Sequence, residues 1–207
     1  MNANEAYQWL ITASGNSECD PFDIHVLASI LAIAVAEARG DERALCDGVG
    51  LSGALLNDLI TKAFPGALAM FVDLSDDITI EVDAEEQSLR DVLLMYGSGT
   101  TSLALHLSAM IARRCRFPHH LWQDLGLQDR AELSHLMNRH FETLARRNDN
   151  NMKWKKFLYR LVCRSEGFSL CVAPVCSDCD DFSACFGAED GEARLARVRN
   201  GMEIVAA

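Results

Sequence analysis

The sequence lacks the signals that would send it to a membrane or through one. MNANEAYQWL, at the N-terminus, has no basic stretch followed by an apolar run, so no secretory signal is expected and the protein is read as cytoplasmic. The most apolar stretch, Ile24 to Ala38, stops at EARGDER, short of the ~20 residues a span needs, and predicts a buried helix rather than a membrane segment. Positive charge is also scarce: 19 Lys and Arg against 30 Asp and Glu give −11, which argues against a general nucleic-acid binder. No Gly-rich phosphate loop, nucleophile elbow or paired-carboxylate motif occurs, so the chain is not expected to be an enzyme. Internal repeats and low-complexity tracts are absent too.

What is present is helical periodicity in a chain that is 49% apolar over 207 residues, enough for one sizeable core. Asp20 followed by Pro21 reads as a cap and first helical position, with Ile24, Leu27, Leu31, Ala34 and Ala38 as the buried face. Leu55, Leu56, Leu59, Ile60 and Ala63 form a second core stripe, ended by Pro65-Gly66. Asp83-x-x-Glu86 and Asp129-x-x-Glu132 have capping-box spacing. The first precedes Leu89, Val92 and Leu93, and the second precedes a stripe of Leu133, Leu136, Met137, His140, Phe141 and Leu144 that NDNN breaks. Between these, Thr101 to about Cys115 predicts another helix. ITIEV, residues 78–82, alternates like a strand but has no partner and reads as an extended linker. A last helix carries Trp154, Phe157, Leu158, Leu161 and Val162 on one face and Lys153, Lys156, Arg160 and Arg164 on another.

The expected fold class is therefore all-α: a bundle-like domain of six to seven helices followed by a C-terminal cysteine loop holding a metal cluster. The expected boundaries are 1–164 for the helical domain, 165–190 for the cysteine-rich loop and 191–207 for a charged tail.

Four of the eight cysteines fall in LCVAPVCSDCDDFSACFG, spaced Cys171-x4-Cys176-x2-Cys179-x5-Cys185. A reducing compartment turns such a set toward metal binding or redox chemistry rather than disulfides. A four-thiolate zinc site usually needs two CxxC knuckles, and only one is here, whereas an iron–sulfur cluster offers several metal corners to thiolates spread along a loop. Spacing favours the cluster and leaves zinc and inert thiols as alternatives. Pro174 restricts the first arm, and Phe168, Phe182 and Phe186 can shield sulfur from water.

The remaining candidates have plainer readings. Residues 146–164 carry seven basic side chains against Asp149 alone, a local +6 in an acidic chain, which is either a solvated face or a surface for an anion or an acidic partner. His119, His120, His135 and His140 are expected to be structural or surface groups before ligands. Cys163 is expected to pack beside Val162, and Cys19, Cys46 and Cys115 to be ordinary thiols.

MKWKKFLYRLVCRSEGFSLC followed by APVCSDCDDFSACFG resembles the C-terminal signature of the NifQ family, and HLWQDLGL and ELSHLMNRHFETLARRNDNNMKWKKF resemble it upstream. The likeness is strong over residues 119–187 and weak before them. It implies a carrier of an iron–sulfur cluster containing molybdenum, which supplies that metal for the iron–molybdenum cofactor of nitrogenase. It further implies Cys171, Cys176, Cys179 and Cys185 as ligands, and the cofactor scaffold NifEN and the iron protein NifH as partners. The rivals from other classes are a ferredoxin-like electron carrier and a zinc-stapled interaction module.

Overall fold

A computed structural model describes residues 1–40, 43–97 and 102–165, together with Glu189, Arg194 and Leu195. These residues hold ten α-helices and one 3-10 helix and no strand. The all-α class is as expected, but the six to seven helices are too few. The elements are α1 (Ala3–Ala13), α2 (Pro21–Arg39), α3 (Leu45–Val49), α4 (Gly53–Ala63), the 3-10 helix Pro65–Phe71, α5 (Ala84–Met95), α6 (Ser102–Cys115), α7 (Leu121–Asp124), α8 (Arg130–His140), α9 (Glu142–Arg147) and α10 (Trp154–Ser165).

The centre is α2. Asp20 accepts the Phe22 amide at 2.8 Å, Pro21 takes the first helical position, and Ile24, Val26 to Leu31, and Ala32 to Val35 are buried around the helix axis. With 19 residues α2 has the length and composition of a membrane span, yet 72% of it is buried inside the fold, which is the setting of a core helix. α1 and α3 pack on it, α5 packs against α6, and α10 lies against α5.

Three local corrections follow from packing. Leu55, expected in the core stripe, is 46% exposed, while Leu56, Leu59, Ile60 and Ala63 are buried. The stripe from Leu133 to Leu144 is fully buried apart from His140, but belongs to two helices, because Phe141 leaves helical geometry at φ −136° and ψ 46°. The two capping boxes are half boxes. Asp83 and Asp129 accept the Glu86 and Glu132 amides at 2.9 Å, while both glutamates turn elsewhere: Glu86 to arginines, and Glu132 to His25 and the Gln128 amide.

Residues 78–82 form neither helix nor strand, and their carbonyls have other work. The Gly53 amide donates to Ile78 O at 2.8 Å, and Arg113 Nη2 donates to Glu81 O at 2.7 Å. Gly53 is required there, since a Cβ would lie 1.9 Å from Ser75 O. Gly126, at φ 75°, similarly lets the turn after α7 approach α2, where a Cβ would meet Ser29 O at 2.8 Å.

Candidate functional site

Cys171, Cys176, Cys179 and Cys185 lie outside the described residues, as do Asp178 to Asp181. What the structure does describe is the frame on either side: α10, which leads toward them, and Glu189, Arg194 and Leu195, which follow them.

α10 is less of a free basic face than its sequence implies. Trp154, Phe157, Leu158 and Val162 are buried as expected, and Lys156 is exposed. Lys155, however, is turned into the fold, where Nζ donates to Asp124 Oδ2 at 2.5 Å, Phe117 O at 2.6 Å and His119 O at 2.7 Å. It ties α10 to α7 and to the turn that follows α6. Arg147 sits over the Tyr96 ring at 4.6 Å, and Arg146 pairs with Glu142 on the surface. Tyr159, whose phenol burial pushes up, donates to Glu85 on α5 at 2.6 Å.

Behind α10 lies a buried ionic cluster. Arg114 of α6 is fully buried, and its Nη1 donates to both carboxylate oxygens of Glu37 of α2 at 3.0 Å each. Arg194 reaches the same carboxylate, with Nη2 3.0 Å from Glu37 Oε1, and brings Nη1 within 3.7 Å of Asp124 Oδ1. Burial pulls the Arg114 pKa down, and Glu37 opposes that pull. Arg43 approaches from the rim, 3.9 Å from Glu37, and both Arg43 and Arg114 lie over the Phe117 ring, at 4.2 and 4.4 Å. Asp124 is also 3.1 Å from His119 Nδ1.

Glu189 is anchored separately. Arg130 Nη1 lies 2.8 Å from it and His120 Nδ1 3.4 Å. Arg130 also donates through Nη2 to the carbonyls of Asn151 (2.7 Å) and Met152 (3.0 Å), just ahead of α10. Asn151 presents that carbonyl from the left-handed region, at φ 52°. An open groove of about 800 Å³ runs beside these groups along α8, between Arg130, Ser134, His135, Asn138, Arg139 and Asn151. Its two arginines are engaged, Arg130 as above and Arg139 with Asp20 (2.9 Å) and Asp23 (3.0 Å).

The histidines pair and pack within the fold. His119 and His120 pair with Asp124 and Glu189, His135 stacks on Phe22 at 4.3 Å, and His140 Nε2 lies 2.8 Å from Asp23. His25, which the sequence did not single out, links Tyr7 and Glu132 at 2.7 Å on each side. Burial works to raise the Glu132 carboxyl, but hydrogen bonds from His25 and the Gln128 amide outweigh it and its pKa is lowered. Among the described residues no group of three His, Cys, Asp or Glu is placed to hold a metal ion.

The four described cysteines are free and divide by burial. Cys46 and Cys115 are buried, and Cys19 and Cys163 are half-buried. Burial pushes the Cys115 thiol up to about 12 against the pull of nearby Lys155, and raises Cys46 with help from Asp47.

Fold and site together define a helical scaffold with a buried ion-paired core, in a chain whose sequence also carries a four-cysteine segment. The NifQ family model matches residues 26–187, and the chain belongs to that family. The likeness begins in α2 and includes the helical core, so it is not confined to the region from residue 119 onward where the motifs are most legible. A NifQ homolog of Sinorhizobium fredii is 40% identical over 171 residues, 83% of this chain and 74% of the relative. Protein NifQ of Rhodobacter capsulatus is 38% identical over 160 residues, 77% of this chain and 87% of the relative. Protein NifQ of Klebsiella pneumoniae is 51% identical over 69 residues, 33% of this chain and 41% of the relative. No solved structure matches.

Proposed function

We propose that the chain carries, as its cargo, an iron–sulfur cluster containing molybdenum, and hands the molybdenum on during assembly of the iron–molybdenum cofactor of nitrogenase. The observation that carries this reading is family membership over residues 26–187, a span that includes Cys171, Cys176, Cys179 and Cys185. The donor set fits: four soft thiolates suit iron in a sulfide cluster, one to each tetrahedral metal corner. Delivery makes the protein a cytoplasmic carrier rather than an enzyme, with a molybdenum source upstream and NifEN and NifH as the receiving partners.

Iron, molybdenum, zinc and acid-labile sulfide measured on anaerobically purified protein test this directly. Iron, sulfide and molybdenum together are expected, with strong loss of all three on changing any one of Cys171, Cys176, Cys179 or Cys185 to Ser and little change in Cys19→Ser. Zinc without sulfide would identify a stapled interaction module. Iron and sulfide that stay bound and never pass molybdenum to an acceptor would identify an electron carrier.

A further inference from the structure

Among the described residues, the cluster around Glu37 and Asp124 has more donors than acceptors. Arg114 is wholly buried, and with Nη1 committed to Glu37 its Nε and Nη2 have no hydrogen-bond partner. Arg194 is 7% exposed, and its Nη1 is likewise unpartnered, with the Asp124 oxygen 3.7 Å away. Arg114, Arg194 and Lys155 thus share two carboxylates, Glu37 and Asp124, and Arg43 adds a further positive charge at the rim. A buried donor left unmade costs about 1–3 kcal/mol and an uncompensated buried charge more, so the arrangement calls for additional negative charge with oxygen acceptors.

The unused atoms have a definite shape. Nε and Nη2 are the side-on edge of a guanidinium, the fork that binds two oxygens of a carboxylate or phosphate in parallel. We propose that Arg114 and Arg194 form a binding site for a small tetrahedral oxyanion of charge −2, with the Arg114 fork holding two oxygens, Arg194 Nη1 a third, and Lys155 and Arg43 supplying field. The dianion balances the excess charge of the cluster when Arg43 is included. Because Lys155 precedes the four cysteines in sequence and Arg194 follows Cys185 by nine residues, the ion also joins the two sides of the cysteine segment. Molybdate, sulfate and hydrogen phosphate share this chemistry. That molybdate is the physiological ion rests on the function proposed above.

Calorimetric titration of the full chain, purified without added metal, with molybdate, tungstate, sulfate and phosphate at constant ionic strength tests the site. Saturable one-to-one binding is expected, tighter for molybdate and tungstate. Arg194→Gln should weaken it by at least about tenfold with helical circular dichroism retained, since a hydrogen bond to a charged group is worth about 1.5–3 kcal/mol. Arg43→Gln, at the exposed rim, should fold in any case and weaken it by about threefold, in the range of a screened charge. Lys62→Gln, an exposed cation on α4, should change nothing. Absence of saturable binding by all four ions, or affinities unchanged in both arginine variants, overturns the site. Equal affinity for all four supports the site and severs its link to molybdenum. Because metal content on the cysteines is measured independently, failure here leaves the carrier reading standing, and loss of the carrier reading leaves the oxyanion site testable.

Discussion

Two buried carboxylates, Glu86 and Glu37, are each surrounded by arginine, and they end in different states. Glu86 is fully buried between Arg90 (2.5 Å), Arg113 (2.8 Å) and Arg116 (3.8 Å). Its arginines place their remaining donors on main-chain or side-chain oxygens: Arg90 on Gly50 O, Arg113 on Glu81 O and Arg116 on Asp83. They are also 12–37% exposed, and the buried Arg113 Nε and Glu86 Oε2, which make no hydrogen bond, face each other as an ion pair at 2.8 Å. Glu37 faces Arg114 and Arg194, whose side chains are 0% and 8% exposed, and no carbonyl takes up their spare donors. A similar ratio of cations to carboxylates is therefore sealed in one place and open to further ligation in the other. Carbonyl placement and solvent decide which, not the count of charges.

The largest expected effect breaks the pair of carboxylates apart. Glu37→Ala should destabilise the fold by about 3–5 kcal/mol in urea unfolding, because it strands a fully buried guanidinium, and millimolar sulfate or molybdate should restore part of the loss. Glu86→Ala should cost less, about 1–3 kcal/mol, because its arginines keep carbonyls and water. A greater loss at Glu86 would mean that those carbonyls do not compensate it.

A middle-sized effect comes from Cys115, beside the Glu37 cluster. Its folded pKa is raised from 9.0 to about 12, so below pH 9 it has no influence on stability. Above pH 9 the unfolded thiol ionises first, and stability should fall by about 1.4 kcal/mol per pH unit until the folded pKa is reached. Cys115→Ala should remove that alkaline slope. In native protein at pH 8, mass spectrometry after alkylation should find Cys46 and Cys115 unmodified and Cys19 and Cys163 labelled. Labelling of Cys115 at the rate of Cys163 would show that the region near α10 opens.

The smallest effect marks the surface baseline. Arg146→Ala breaks the Glu142 pair, whose side chains are 74% and 57% exposed, and should change stability by no more than about 0.5 kcal/mol.

Local rules carried the sequence reading as far as local physics reaches. Asp20, Asp83 and Asp129 are caps, α2, α4, α6 and α10 fall where periodicity puts them, and residues 78–82 form no strand. α1 was missed although Asn2 and Glu5 form a complete capping box, with reciprocal bonds of 2.9 and 2.8 Å, and Ala3, Ala6 and Leu10 make a short buried stripe. Other features were not legible at all. The break at Phe141 is set by how α8 and α9 pack, since the apolar stripe runs through it unbroken. The pairing of Glu37 with Arg114 and Arg194 spans 77 and 157 residues, and nothing local in AVAEARG announces a buried anion with two distant partners.

That separation has a consequence in time. During synthesis the chain emerges N-terminus first, at about 5–20 residues per second, so α2 leaves the ribosome with Glu37 unpartnered. Arg114 arrives 77 residues later and can shelter the carboxylate while α6 docks. Arg194 follows only after 157 residues, about 8–30 s behind Glu37 at those rates, when every cysteine has already been made. The last bond to close this core is therefore also a record that the cysteine segment has been translated in full.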